Sequence, residues 1–436
     1  MEGTELKNMF QFNDPRDWFF RARFGMFVHW GIYSINGWHE QEHLRLQMGR
    51  DAYRQLAARF NPCSFNPDKW LDLAEQSGMR YIVLTAKHID GFCMFDSAVS
   101  EFKITNTPFK NDIVGMLADA CHRRNFHFGV YFSALDNLHK NYPRSGKGHE
   151  TVAEPGDEPD YDKYMQFVRA QVRELCSNYG KLDVFWWDAN RTGIVDRSVN
   201  ALIRKLQPSC VINDRGWDEG DFGTPERNYD QLAYALVPFA RPTEACESIG
   251  SQSWGFRKDE DYFTPLYLMR RMDKMLSKGA NYLLNVGPDA DGLIPPEQAR
   301  ILQALGRWYN RVSEAWKDTG FSCGLTANKD VILTSKDNVL YVHLVEEPKT
   351  TSVILNPINI LPARATLLNT GEPVCFDLNR LPILHMEPVK TALRLYNLPV
   401  ERLVNELPVI KLEFTRTIED LPAVRAASDG IDAALK

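Results

Sequence analysis

An aspartate closing an apolar run is the first residue whose neighbours suggest chemistry. In Leu182–Asn190 (LDVFWWDAN), Trp186 and Trp187 lead straight into Asp188. Indole rings suit the apolar faces of sugars, and a carboxylate at a strand's end suits covalent or acid/base work on a glycosidic bond. The same residue would equally cap the next helix or pair with Arg191. Retaining hydrolysis needs a second carboxyl group about 5–5.5 Å from the first, to protonate the leaving oxygen. Glu226 (in Thr224-Pro225-Glu226) and Glu244 and Glu247 (in Thr243-Glu244-Ala245-Cys246-Glu247) are the candidates. Each could also be a solvated loop charge or an arginine partner, and spacing alone does not rank them. His29 and His88 stand where two further apolar runs end. A neutral imidazole both donates to and accepts from sugar hydroxyls, although a lone histidine is more often satisfied by core backbone.

Other chemistries find less support. His29, His88, Asp90 and Asp188 are metal-ligand types, but there is no HxH pair and no Cys/His ligand spacing, so no metal is expected. No GxSxG nucleophile elbow follows a strand, and no GxGxxG or Walker sequence does either.

The elements that must carry these residues alternate. Short, nearly continuous apolar runs occur at Gly25–Trp30, Tyr81–Thr85, Phe126–Phe132, Val184–Trp187, Cys210–Ile212 and Asn281–Val286. Such runs are what parallel strands buried on both faces need. Helical spacing of apolar residues lies between them, at Pro67–Gly78, Asp112–Arg124, Tyr161–Tyr179, Pro265–Leu276 and Pro295–Val312. Repeated βα units predict a parallel sheet, and polar and aromatic residues at the C-terminal ends of several strands favour a barrel.

After about Leu325 the pattern becomes short strand-like runs separated by turns: Val331–Thr334, Val339–Leu344, Ser352–Leu355, Ala365–Leu368, Ile383–Met386, Ala392–Tyr396 and Val409–Phe414. These predict a small antiparallel β-sandwich. The expected division is a catalytic barrel over 1–322, a β-sandwich over 323–420 and a tail over 421–436.

The chain has 436 residues and a net charge of −6, which leaves no basic footprint for nucleic acid or an anionic membrane. No apolar run reaches spanning length and the first residues do not read as a secretory signal. The 8 cysteines are scattered without a CxxC pair and read as free thiols, which leans towards a cytoplasmic protein.

Taken in order, several longer stretches resemble the α-L-fucosidases of glycoside hydrolase family 29. They are Arg23–Ser34 (RFGMFVHWGIYS), Leu84–Phe95 (LTAKHIDGFCMF), Phe128–Ser133, the Trp186–Asp188 segment, Asn213-Asp214-Arg215 followed by Gly220-Asp221-Phe222, Ser253–Phe256 and Asn281–Pro288. The resemblance spans roughly residues 10 to 320. It implies an irregular (β/α) TIM-like barrel, an exo-acting retaining mechanism, no cofactor and a fucosylated oligosaccharide or glycoconjugate as substrate. It puts Asp188 on the nucleophile and His29, His88, Tyr131, Trp186, Arg215 and Trp254 around the fucose. Glu40, after Trp38, falls on a further acidic position near the sugar. Glu244 and Glu226 each match a glutamate that serves as acid/base in some members. Glu244 is preferred because it ends an apparent strand on the same rim. Family members usually carry a second histidine where this chain has Ile89, an aromatic at Gln41 and a glycine at Ala189. These departures keep open a related L-sugar such as α-L-galactose, and a non-catalytic fucose-binding protein. A homo-oligomer is also compatible with the sequence.

Overall fold

Consecutive apolar residues with β-branched and aromatic side chains bury both faces of a strand. The computed structural model, which describes residues 10–190, 192–227, 238–380 and 391–421, forms strands at each such run. They are β1 (Phe24–Val28), β2 (Tyr81–Lys87), β3 (His127–Ser133), β4 (Val184–Asp188), β5 (Val211–Ile212), β6 (Glu244–Ser248) and β7 (Asn281–Val286). β1, β2, β6 and β7 are buried at every position. β6 (EACES) is too polar and short for its periodicity to announce a strand, and only its burial between neighbours makes it one.

The seven strands form one parallel sheet in the order β5-β4-β3-β2-β1-β7-β6. β5 and β6 do not pair directly. Residues 222–226 run between them, bridged in parallel to Asn213 on one side and to Thr243 and Cys246 on the other. Hydrogen bonds continue this course: Asp221 N to Ile212 O at 2.6 Å, Glu244 N to Gly223 O at 2.9 Å and Cys246 N to Pro225 O at 3.0 Å.

Helices return the chain between strands: α1 (Pro67–Gln76), α2 (Ile113–Arg123), α3 (Tyr161–Asn178), α4 (Arg197–Leu206), α5 (Pro265–Ser277) and α6 (Pro296–Val312). Their starts are written locally. Asn66, Asp112, Asp160, Asp196 and Thr264 each accept a first-turn N–H through the side chain, satisfying donors that have no intrahelical partner. α4 was not expected from the sequence.

Beneath the rim the sheet encloses a packed interior in which Phe27, Tyr81, Val83, Tyr131, Trp186 and Leu283 meet, each 1% exposed or less. The chain's second part has two antiparallel sheets, formed by β8 (Gly320–Phe321), β9 (Ile332–Lys336), β10 (Val339–His343), β11 (Ser352–Leu355), β12 (Arg364–Leu367), β13 (Cys375–Arg380), β14 (Thr391–Tyr396) and β15 (Val409–Glu413). The first sheet runs β12-β15-β10-β9-β8 and the second β11-β14-β13. β13 (CFDLNR) is half-exposed and reads as a loop in sequence. The strand expected at Ile383–Met386 and nearly all of the expected tail lie outside the described residues. The parallel sheet meets this part through buried polar bonds. Trp308 Nε1 donates to Leu407 O at 2.8 Å, and His343 Nδ1 lies 2.6 Å from Asp273 Oδ1 on α5.

Among the described residues no helix is long and apolar enough to cross a membrane. All eight cysteines are free thiols, with Cys63 and Cys375 exposed and the others buried.

Candidate active site

Asp188 is the last residue of β4, opposite Ser133 of β3. Beyond the end of β5, the Asn213 side chain extends the ladder. Its Oδ1 accepts the Trp187 N–H at 2.7 Å and its Nδ2 donates to Trp187 O at 2.9 Å. Both backbone groups of Trp187, the residue before Asp188, are thereby held. Trp187 turns outward, its Nε1 bound to Asn200 Oδ1 on α4, while Trp186 turns inward.

Two groups hold the Asp188 carboxylate. Tyr131 OH donates to Oδ2 at 2.8 Å and Arg215 Nη1 to Oδ1 at 3.2 Å. Burial opposes its charge, but the Arg215 guanidinium and the Tyr131 bond outweigh burial and hold the carboxyl below the usual aspartate value. The same Arg215 Nη1 lies 2.7 Å from Glu226 Oε2. One nitrogen therefore touches both carboxylates, so the two oxygens it contacts lie no further apart than the sum of those distances, and retaining chemistry uses carboxyl groups about 5–5.5 Å apart. Arg215 itself is fixed by Thr224, whose Oγ1 and carbonyl accept from Nε and Nη2 at 2.8 Å each, and it lies over the Trp186 ring, 4.9 Å from the centroid.

The walls are aromatic. Trp186 stacks on Tyr131 with ring centroids 5.6 Å apart, and Tyr131 stacks on His88 at the same spacing. His29 and Trp254 meet at 5.2 Å. Burial pushes His29 down to about 4 and His88 to about 3, so both are neutral near pH 7. Asn285 Nδ2 donates to Trp254 O, so its Oδ1 faces His29 Nδ1 at 2.7 Å. That bond places the ring proton on Nδ1 and leaves His29 Nε2 as an acceptor. Glu40 Oε2 accepts from Ser253 Oγ, Trp254 N and Gly255 N at 2.7–3.2 Å, so the carboxylate orders the loop that carries Trp254. Burial works against its charge, yet His39, His88, His29 and the Ser253 bond together hold it down to about 2.

The pocket thus gathers His29, Glu40, His88, Tyr131, Trp186, Asp188, Arg215, Glu226 and Trp254 from the residues expected in sequence. Two expected residues stand elsewhere. Trp38 does not line the pocket: it is half-buried beside it, and its carbonyl accepts from Arg257. Gly37, at φ 61°, turns the chain so that Glu40 takes the inward place. Glu244 does not end a strand on the rim. It opens β6, opposite Asn281, is fully buried, and lies below the pocket. Its carboxylate accepts from Tyr81 OH at 2.5 Å and Trp186 Nε1 at 2.9 Å, and burial pushes it up to about 7. Glu247, the third glutamate considered, is bound by Arg271 at 2.8 Å.

Sequence reading also passed over some residues. Residues 39–43 spell His-Glu-Gln-Glu-His, the letters of a zinc-protease helix. The helix there covers only Glu42–Arg45, and His43 Nε2 faces Asn137, so the two imidazoles do not share a helix face. Cys246 and His149 line the pocket without any sequence signal, and Ile89 and Gln41, noted above as departures, line it too.

Comparison with known proteins finds similar chains. A family model described as Alpha-L-fucosidase matches residues 5–314. The tissue alpha-L-fucosidase of Rattus norvegicus is 30% identical over 373 residues, covering 77% of this chain and 77% of that protein. Among solved structures, alpha-L-fucosidase isoenzyme 1 from Paenibacillus thiaminolyticus is 29% identical with a TM-score of 0.80, over 92% of this chain and 99% of that one. An alpha-L-fucosidase from Bacteroides thetaiotaomicron, trapped as a covalent intermediate with 2-fluoro-fucosyl fluoride in a glutamate-to-glutamine mutant, is 25% identical with a TM-score of 0.77, over 95% and 99%.

Proposed function

The chain belongs to the α-L-fucosidase family, and from that premise we propose that it releases terminal α-L-fucose from glycans with Asp188 as nucleophile and Glu226 as acid/base. The observation that carries this reading is the single Arg215 nitrogen in contact with both carboxylates above an aromatic-walled pocket. Asp188 attacks the anomeric carbon, and the bond to the leaving oxygen breaks as Glu226 gives it a proton. Water, deprotonated by Glu226, then attacks the same carbon and frees fucose and the Asp188 carboxylate. Net stereochemistry is retained. Arg215 serves the Asp188 charge before the ester forms and the Glu226 charge after it.

Glu244 is the weaker candidate for acid/base. Its two oxygens already accept from Tyr81 and Trp186, and the Trp186 indole lies between it and the pocket. His29, His88 and Glu40 suit the sugar hydroxyls, while Trp186, Tyr131 and Trp254 suit the apolar face and the methyl group. We further read residues 222–226 as an irregular eighth strand closing a (β/α) barrel, followed by a β-sandwich module from about 323. Free buried thiols are compatible with a reducing compartment.

The test is an aryl α-L-fucoside assay. Asp188→Ala should abolish turnover, by analogy with other covalent nucleophiles by a factor of about 10⁴ or more. Substantial activity in that variant would sink the assignment.

A further inference from the structure

Asn137 is fully buried at the start of the long loop after β3. Its backbone N–H donates to Ile89 O at 2.9 Å. Its side chain grips the far side of the same loop twice: Nδ2 donates to His149 O at 3.0 Å, and Oδ1 accepts Thr151 N–H at 2.9 Å. One asparagine therefore sets Ile89, on the pocket wall, against His149, on its rim. Other bonds hold the loop independently. Glu150 collects the N–H groups of Ser145 and Gly146, and Asp157 pairs with Arg50 at 2.5 Å and Arg144 at 3.0 Å. His149 itself takes φ 74°, a left-handed conformation that is uncommon for a residue with a Cβ, that glycine adopts freely, and that asparagine and histidine enter more readily than most. A clamped outlier at the mouth of a pocket, bearing an imidazole, points to use of that side chain.

We infer that His149 is a sugar-binding, specificity-determining residue, its imidazole hydrogen-bonding a glycan hydroxyl on the wall where Ile89 has no polar group to offer. The inference rests on the fucosidase reading and extends it. His29, His88 and Glu40 are 5%, 6% and 1% exposed, whereas His149 is exposed and Glu226 side chain is 39% exposed. The hydroxyl thus belongs either to the seated fucose or to the sugar it is leaving.

His149→Gly removes the imidazole and suits the backbone, so folding is not compromised. His149→Asn keeps a hydrogen-bonding group and tolerates the same φ. The measurements are kcat, KM and Tm on an aryl α-L-fucoside, whose leaving group has no sugar hydroxyl, and on a fucosyl disaccharide. His149→Gly is expected to keep its Tm and lose about tenfold in kcat/KM, mostly through KM, with partial recovery in His149→Asn. Loss on both substrates assigns the hydroxyl to fucose, and loss on the disaccharide alone assigns it to the departing sugar. Unchanged kcat/KM on both overturns the inference and leaves the fucosidase reading standing. Equal losses in both variants with a lowered Tm mark a purely structural role and also overturn it. A wild-type chain that turns over neither substrate overturns the fucosidase reading and this inference with it.

Discussion

Two glutamates differ in what surrounds them, and that difference is measurable. Glu226 shares Arg215 with Asp188 at the pocket, whereas Glu244 is closed in by Tyr81 and Trp186. Glu226→Gln should cost about 10²–10⁴ in kcat/KM on a glycan, less on an aryl fucoside with a good leaving group, and azide should restore turnover of the activated substrate. Glu244→Gln should keep the wild-type leaving-group dependence and change stability instead. The reverse pattern would exchange the two assignments. The sign follows from protons. Burial raises Glu244 from 4.5 to about 7. Below 4.5 both states hold the proton and the contribution to stability is complete. Between 4.5 and about 7 the unfolded chain loses the proton first, so stability falls as pH rises through this window. Urea unfolding across that range should show a flatter pH dependence in Glu244→Gln than in wild type, with the part due to Asp90, also raised to about 7 by burial, retained in both. At this scale the sequence displayed the right residue types but not their depth. A glutamate in TEACES looks the same whether its strand begins or ends there, and only the pairing of Glu244 with Asn281 decides it.

The site's precision comes from elements that sequence patterns only partly reveal. The apolar strands were legible because burial on both faces leaves a run that nothing else explains; Asn281–Val286 matches β7 end to end. Residues 222–226 carry no such run and pair with the strands on either side in isolated bridges rather than a continuous ladder, yet they bring Thr224 and Glu226 to Arg215. Gly220 makes their course possible. It adopts φ 55°, and a Cβ there would strike the Asn213 carbonyl. Gly220→Ala should therefore destabilise the fold by more than about 1 kcal/mol and lower kcat more than KM, as Glu226 and Arg215 lose their register. Thermal melts and steady-state kinetics test this together, and wild-type values on both would show that the segment's course does not depend on glycine. His149 was illegible for a related reason. Its place depends on Asn137, twelve residues earlier, and on a backbone conformation that no pattern of apolar residues encodes.

Across the molecule, the parallel sheet and the antiparallel sheets are joined by polar groups that water does not reach. His343 on β10 and Asp273 on α5 are both 0% exposed. Thr334 gives its proton to Ala315 O at 2.7 Å, so its Oγ1 accepts from His343 Nε2 at 2.9 Å. Both ring nitrogens of the imidazole therefore have a partner, Nε2 on the neighbouring strand β9 and Nδ1 across the junction. His343→Ala leaves Asp273 buried without that partner and should cost about 3–5 kcal/mol, read by chemical denaturation, with kcat per folded molecule unchanged. Loss of activity in the folded fraction would mean that the junction also shapes the pocket. The sequence located the change from βα units to short strands near Leu325 but gave no sign of this seam, whose members are 70 residues apart. Beneath the pocket, among the described residues, the interior is filled by the packed side chains of Phe27, Tyr81 and Trp186. An aglycone held at the mouth of this pocket has to leave before the sugar seated behind it can follow. During that interval the ester is open to whatever hydroxyl arrives first, and an alcohol supplied in excess would compete with water to carry the fucose away.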